Sequence, residues 1–289
     1  MQNPNIDELL SGSIDMHLHI GPDEMATRVT ALEAAEQAAD AGMKAIVLKN
    51  HSYPTTSAAI ITRDLAPEVE VFGSICLDYE IGGLNVDALE KHARLGAKVV
   101  WMPTFSSTNS RAKMRGLGLN LEGEGFSILS EDGKLVAEID PILEIVKKHD
   151  MVLASGHMSP IEIFAMVEAA RKKSIEKIII THPSDAEFME KTLTLEELQR
   201  LSQMGAFIEQ TIVTLLPTEF CHSPQERVET IKAIGVDYCI MSTDLGQYWN
   251  PPPAEGMRFF IAILLRNGLS PEDIEVMAKK NPARLLGLG

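Results

Sequence analysis

Ile14-Asp15-Met16-His17-Leu18-His19-Ile20-Gly21-Pro22 is the stretch on which the reading of this chain turns. It is a short, largely apolar run ended by Gly-Pro, and this pattern predicts a β-strand. Side chains two residues apart on a strand share a face, so His17 and His19 stand side by side near its end. Two imidazoles placed that way make half of a metal site. Alone, an HxH pair is equally well two hydrogen-bonded core or surface histidines, so the rest of the chain has to supply the other half.

Outward from this strand, short β-rich runs alternate with helical patterns. Further strands are predicted at Lys44–Lys49, Val69–Leu77, Lys98–Pro103, Met151–Ser155, Lys177–Thr181, Ala206–Val213 and Tyr238–Thr243. Helices are predicted at Ala31–Met43, Val86–Leu95, Pro141–Lys148, Ile161–Lys173, Leu195–Gly205 and Gln225–Ile234. Ser159-Pro160, Ser223-Pro224 and Ser270-Pro271, each followed by an acid three residues after the serine, are helix starts with a cap and a first-turn proline. Eight strands with intervening helices predict an α/β fold, the (β/α)8 TIM barrel. Residues 104–138 form a long fourth connection, in which Phe126–Leu129 and Lys134–Val136 suggest a small hairpin. This loop/hairpin insertion after strand four is either a lid or an inert addition. No linker divides the chain, so residues 1–289 are expected to form one domain.

Chemistry-bearing residues fall in step with this alternation. His157 follows the fifth strand, His182 the sixth and Asp244 the eighth. Barrel sites gather at the C-terminal ends of the strands, where residues distant in sequence meet. Imidazoles with one carboxylate suit Zn²⁺ or a similar divalent ion with a position left for water.

At these residues the chain resembles the amidohydrolase superfamily, whose HxH on strand one, His after strands five and six, and Asp after strand eight match His17, His19, His157, His182 and Asp244. The closing Asn281-Pro282-Ala283-Arg284-Leu285-Leu286-Gly287-Leu288 is similar to that superfamily's C-terminal helix. Members with two metals carry a carboxylated lysine or a glutamate at the end of strand four. Here Lys98 lies at the start of that strand, so the resemblance implies a single ion held by His17, His19, His157 and Asp244. This is the pattern of the superfamily's single-metal branches. Zn is the first choice, with Mn, Fe, Ni or Co as alternatives, and His182 would hold a second ion if one binds.

The implied reaction is hydrolysis of a C–N or C–O bond in an amide, lactone or related small molecule. A metal-activated water is the nucleophile, Asp244 handles its proton, and His182 hydrogen-bonds the water or polarises the carbonyl. A decarboxylase or other lyase on the same scaffold and a non-catalytic metal- or ligand-binding barrel are the alternatives. Lys49, His51 and Arg111 are the substrate-binding candidates, and their cationic character suits a carboxylate-bearing substrate. Gln247, Tyr248 and Trp249 are candidate pocket walls, and Glu209 on strand seven is a further candidate for the barrel mouth.

Composition narrows the partners. Hydrophobic residues make up 45% of the 289, ample for a large core, and the net charge of −15 argues against nucleic acid or an anionic membrane surface. Cys76, Cys221 and Cys239 are odd in number and lack a C-x-x-C pattern, so neither a disulfide framework nor a cysteine zinc site is expected. The first residues, MQNPNIDELLSGS, lack the regions of a signal peptide, and no apolar run approaches the roughly 20 residues of a membrane helix. The expectation is a cytoplasmic enzyme with a small-molecule partner and room for a homo-oligomer.

Overall fold

The computed structural model describes residues 5–217 and 221–288. The first four residues of the N-terminal stretch considered above lie outside the described residues. Among the described residues all strands run parallel, in two sheets. The first sheet orders β1 (Ile14–His19), β2 (Ala45–Lys49) and β3 (Glu70–Phe72). The second orders β4 (Ser74–Cys76), β5 (Val99–Trp101), β6 (Val152–Ala154), β7 (Ile178–Ile180), β8 (Phe207–Thr211) and β9 (Cys239–Ser242). The fold is thus α/β with parallel sheets, as the alternation implies.

The predicted third strand, Val69–Leu77, is split in two at Gly73. A side chain at Gly73 would sit 2.5 Å from the Cα of Thr56, and the Thr55 hydroxyl accepts a hydrogen bond from the Ser74 amide at 2.8 Å. The start of the helix Thr56–Leu65 therefore presses on the strand at this point. That helix, and the helix Pro253–Arg266, were not among the predicted ones. The other end of the strand order also meets across sheets. The Asp244 amide donates to the His17 carbonyl at 2.7 Å and the His19 amide to the Leu245 carbonyl at 2.7 Å.

The predicted caps are present. Ser159, Ser223 and Ser270 each form a reciprocal capping box with the acid three residues on, followed by proline in the first turn. Residues 104–138 contain the helix Arg111–Gly116 and an antiparallel bridge between Leu129 and Leu135. The turn between them is closed by the Ser130 amide on the Lys134 carbonyl at 2.8 Å.

Strand side chains alternate between two apolar clusters. Ala45, Val47, Val99, Trp101, Val152, Ala154, Ile179 and Phe207 share one face with Ile14 and Met16, while Ile46, Leu48, Val100 and Leu153 pack outward against the helices. In β1 the register shifts between Asp15 and Leu18. Ile14 and Met16 belong to the inner cluster, yet Leu18 and Ile20 belong to the outer one. The irregularity reverses the phase of the strand, which turns His17 and His19 to the inner side. Bulges of this kind re-aim side chains at functional sites. Among the described residues no helix is long and apolar enough to cross a membrane.

Candidate active site

The ends of the strands deliver the polar residues to one place. His17 and His19 close β1, Lys49 closes β2, and His157, His182 and Asp244 lie just past β6, β7 and β9. Of these, His19, Lys49, His157, His182 and Asp244, together with His51, enclose a space of about 10 Å³, sealed by Met25, Phe105, Met114, Phe188 and Gln247. All six ionisable residues lining it are buried.

Asp244 is the hub. His17 Nε2 and His19 Nε2 both lie 3.0 Å from its Oδ1, and His182 Nε2 lies 3.7 Å from its Oδ2. His17, His19 and Asp244 are close enough to share one metal ion. Asp244 has a φ of 54°, in the left-handed region that a non-glycine residue enters at a cost, and its amide is fixed to the His17 carbonyl. Burial alone would raise the Asp244 carboxyl, but the charge of His17 and hydrogen bonds from His17 and His19 outweigh it and hold the group well below the usual carboxylate range.

A second carboxylate stands behind each of these three histidines. His17 Nδ1 lies 3.2 Å from Glu209, His19 Nδ1 lies 3.8 Å from Asp23, and His182 Nδ1 lies 3.8 Å from Asp185. A carboxylate on the rear nitrogen orients a histidine that ligates metal through the other one. His157 differs, since its Nδ1 pairs with the Ser110 hydroxyl at 3.0 Å, and its ring centre lies 4.9 Å from that of His182. Of the two later histidines, His182 makes the closer approach to Asp244, although the motif had favoured His157 as the ligand. Burial pushes the pKa of His182 down to about 4 and that of His157 well below its ordinary value, so both are neutral donors at neutral pH.

The donor set fits a divalent metal. Asp244 Oδ2 is buried without a hydrogen-bond partner, and imidazole with carboxylate is the ligand chemistry of Zn²⁺ and its first-row neighbours. Lys98 is at the far end of β5, bonded to the Asp150 carbonyl at 3.0 Å. The end of β5 presents Trp101 instead, whose ring centre lies 4.6 Å from that of His17.

Lys49 enters the site fully buried, with Nζ 3.0 Å from His17 Nε2 and 4.7 Å from the centre of the Trp101 ring. His51 also lines the space. Its Nδ1 pairs with the Thr104 hydroxyl at 2.9 Å, and burial lowers its pKa to about 4. Arg111 is not in the lining. Its guanidinium is clasped by the carbonyls of Glu122 and Phe105 and lies over the Tyr79 ring, where it ties down the loop. Gln247 seals the space and donates to the Asp244 carbonyl at 3.0 Å, whereas Tyr248 is 65% exposed with its backbone carbonyl held by Arg28.

Glu209 is the strand-seven candidate for the barrel mouth. It shares the inner face with Phe207, and besides His17 it accepts the His182 amide at 3.2 Å. Asp23, Asp185 and Ser110 were missed entirely. They lie in loops, and no local pattern sets them apart from ordinary turn residues.

Fold and site together define the class of protein to which the chain is similar. An amidohydrolase from Pseudomonas aeruginosa is 13% identical, with 98% of each chain covered and a TM-score of 0.68. The probable dipeptidase PvdM from the same organism is 14% identical over 98% of this chain and 96% of its own, with a TM-score of 0.65. The lactonase Lmo2620 from Listeria monocytogenes is 13% identical over 98% and 96%, with a TM-score of 0.61. At these identities the likeness is one of fold, and the amidohydrolase-like fold implied by the motifs is the one the chain has. No curated protein matches the sequence. The chain belongs to the family DUF6282, described as a family of unknown function, which matches residues 12–209. Asp244, Gln247 and Tyr248 lie outside that span.

Proposed function

We propose that the chain is a metal-dependent hydrolase on a closed (β/α)8 barrel forming a single domain, acting on a C–N or C–O bond of a small molecule. Hydrogen bonds of Asp244 and His19 across the β1–β9 seam, together with Gly73 bridging β3 and β4, support closure. The observation that carries the function is the approach of His17 Nε2 and His19 Nε2 to one buried carboxylate oxygen at 3.0 Å each. One divalent ion would be held by His17, His19 and Asp244, with His157 and His182 as the imidazoles that complete its surroundings. Bound there, the ion supplies Lewis acidity, which lowers the pKa of water from near 16 to roughly 7.

The chain's own groups then have distinct tasks. Ionised Asp244, with Oδ2 unpartnered, accepts the proton of the attacking water and passes it to the leaving group. Neutral His182, facing that oxygen, hydrogen-bonds the water or the substrate carbonyl. Lys49 and His51 line the space and orient the polar end of the substrate. The apolar seal of Met25, Phe105 and Phe188 keeps bulk water from the reacting bond.

The test begins with metal content after reconstitution with Zn, Mn, Fe, Ni or Co. A panel of amides and lactones follows, with carbon dioxide release from carboxylated substrates measured in parallel. The expected result is bound metal and hydrolysis, with Asp244→Asn lowering turnover by about 10²- to 10⁴-fold while part of the metal stays bound. Protein that takes up no metal would overturn the proposal, as would full activity of Asp244→Asn. Carbon dioxide release without hydrolysis would assign the scaffold to a decarboxylase.

A further inference from the structure

Past Met25, Phe188 and Gln247, which seal the site, lies a second cavity of about 590 Å³ lined in part by the same three residues. Its other walls include Leu117, Leu119, Val213, Leu216 and Trp249. We propose that this cavity receives the non-reacting part of the substrate, and that this part is apolar and carries no negative charge. The word substrate rests on the hydrolase reading above; the affinity of the cavity for such a group does not.

Three observations carry the proposal. The volume falls in the range of roughly 300–1,000 Å³ typical of small-molecule sites, whereas the inner space of about 10 Å³ has room for little beyond the reacting atoms. Leu117 and Trp249 remain 51% and 67% exposed while lining a concave surface, and apolar side chains held open to water in a cleft mark a ligand site. The charge is one-sided, since the ionisable residues of the lining are Glu24 and Glu187, with no lysine, arginine or histidine among the described residues that line it. An anion placed there would lose hydration, meet two carboxylates and find no counter-charge. Basic groups close by in the sequence are already engaged: Arg28 on the Tyr248 carbonyl at 2.9 Å, Arg115 on the Gly123 carbonyl at 2.9 Å and Lys113 on the Ala186 carbonyl at 2.7 Å. A carboxylate-bearing substrate would therefore have to carry its charge at the reacting end, where Lys49 lies.

The first arm of the test uses metal-free protein and reads fluorescence of neutral 1-aminoanthracene against anionic anilinonaphthalene sulfonate. The neutral probe is expected to bind at least tenfold more tightly. Leu119→Asp and, separately, Trp249→Ala should weaken it, and Glu24→Gln with Glu187→Gln should narrow the gap between the probes. Equal or tighter binding of the anion, or affinity unchanged in both Leu119→Asp and Trp249→Ala with the fold intact, would overturn the proposal. The second arm measures kcat/KM of metal-loaded protein on lactones or esters of increasing chain length. A rise of up to about fourfold per methylene is expected, flattened by Leu119→Asp. A flat series in the native protein would overturn the substrate assignment while leaving the hydrolase reading in place. Selective probe binding without turnover of any chain length would overturn the hydrolase reading and leave the cavity's preference for neutral apolar groups in place.

Discussion

Glu209 shows how much a single buried carboxylate contributes to this site. It faces His17 Nδ1 and the His182 amide at 3.2 Å each, so one side chain orients two imidazoles. Burial would raise its pKa, but the charge and hydrogen bond of His17 bring the group below its ordinary value, so it is ionised at neutral pH. Glu209→Gln keeps the size and one acceptor but removes the charge. Metal affinity, read by competition with a chromophoric chelator, is expected to fall about 10- to 100-fold. Unchanged affinity would show that His17 needs no carboxylate behind it. His17, His19, His157, His182 and Asp244 were legible in the sequence because each sits at a strand end in a repeating pattern. Lys49 was legible as a substrate-binding candidate but not as a partner of His17. Its contact with His17 depends on β1 and β2 lying side by side in a register that no local signal fixes.

Among the elements, the turn after β6 places its histidine through tight backbone contact. Gly156 has a φ of 60°, and a side chain there would run into the carbonyl oxygens of Met102 and Pro103, the latter at 2.6 Å. The following His157 amide donates to the Pro103 carbonyl at 2.9 Å. Gly156→Ala is expected to cost about 1–3 kcal/mol in urea denaturation, from overpacking and a strained φ. A second link joins the helix Val86–Arg94 to the helix Thr56–Leu65 through His92 Nδ1 and the Thr56 hydroxyl, 3.1 Å apart. Burial, aided by Lys91, lowers the pKa of His92 below 6.5. The unfolded chain therefore binds a proton that the folded one refuses, and this part of the stability is present above pH 6.5 and lost as pH falls. Thermal melts of wild type and His92→Gln between pH 7.5 and 5.5 should show the difference moving in favour of the variant as pH drops. A constant difference would remove His92 from the acid response.

At the scale of the whole molecule, the site joins elements from both ends of the strand order, so its occupancy should bear on global stability. His17 and His19 come from the first strand and Asp244 from just beyond the last. A ligand bound only by the folded state at a hundredfold excess over its dissociation constant adds about 2.7 kcal/mol. For a chain of this size a chelator is therefore expected to lower Tm by about 4–5 °C, and re-addition of the metal should restore it. A melt indifferent to both would separate the histidine cluster from any resident metal. The strand–helix alternation, the residues at strand ends and the amidohydrolase-like fold were set by the sequence, because period and caps are local properties of the chain. Tertiary structure decided the rest. The bulge in β1 aims both histidines inward, Glu209, Asp23 and Asp185 fall behind three imidazoles, and an acidic, apolar cavity opens outside the seal. These outcomes depend on which distant groups share a small buried volume, and strand phase and loop path fix that only once the sheets have formed.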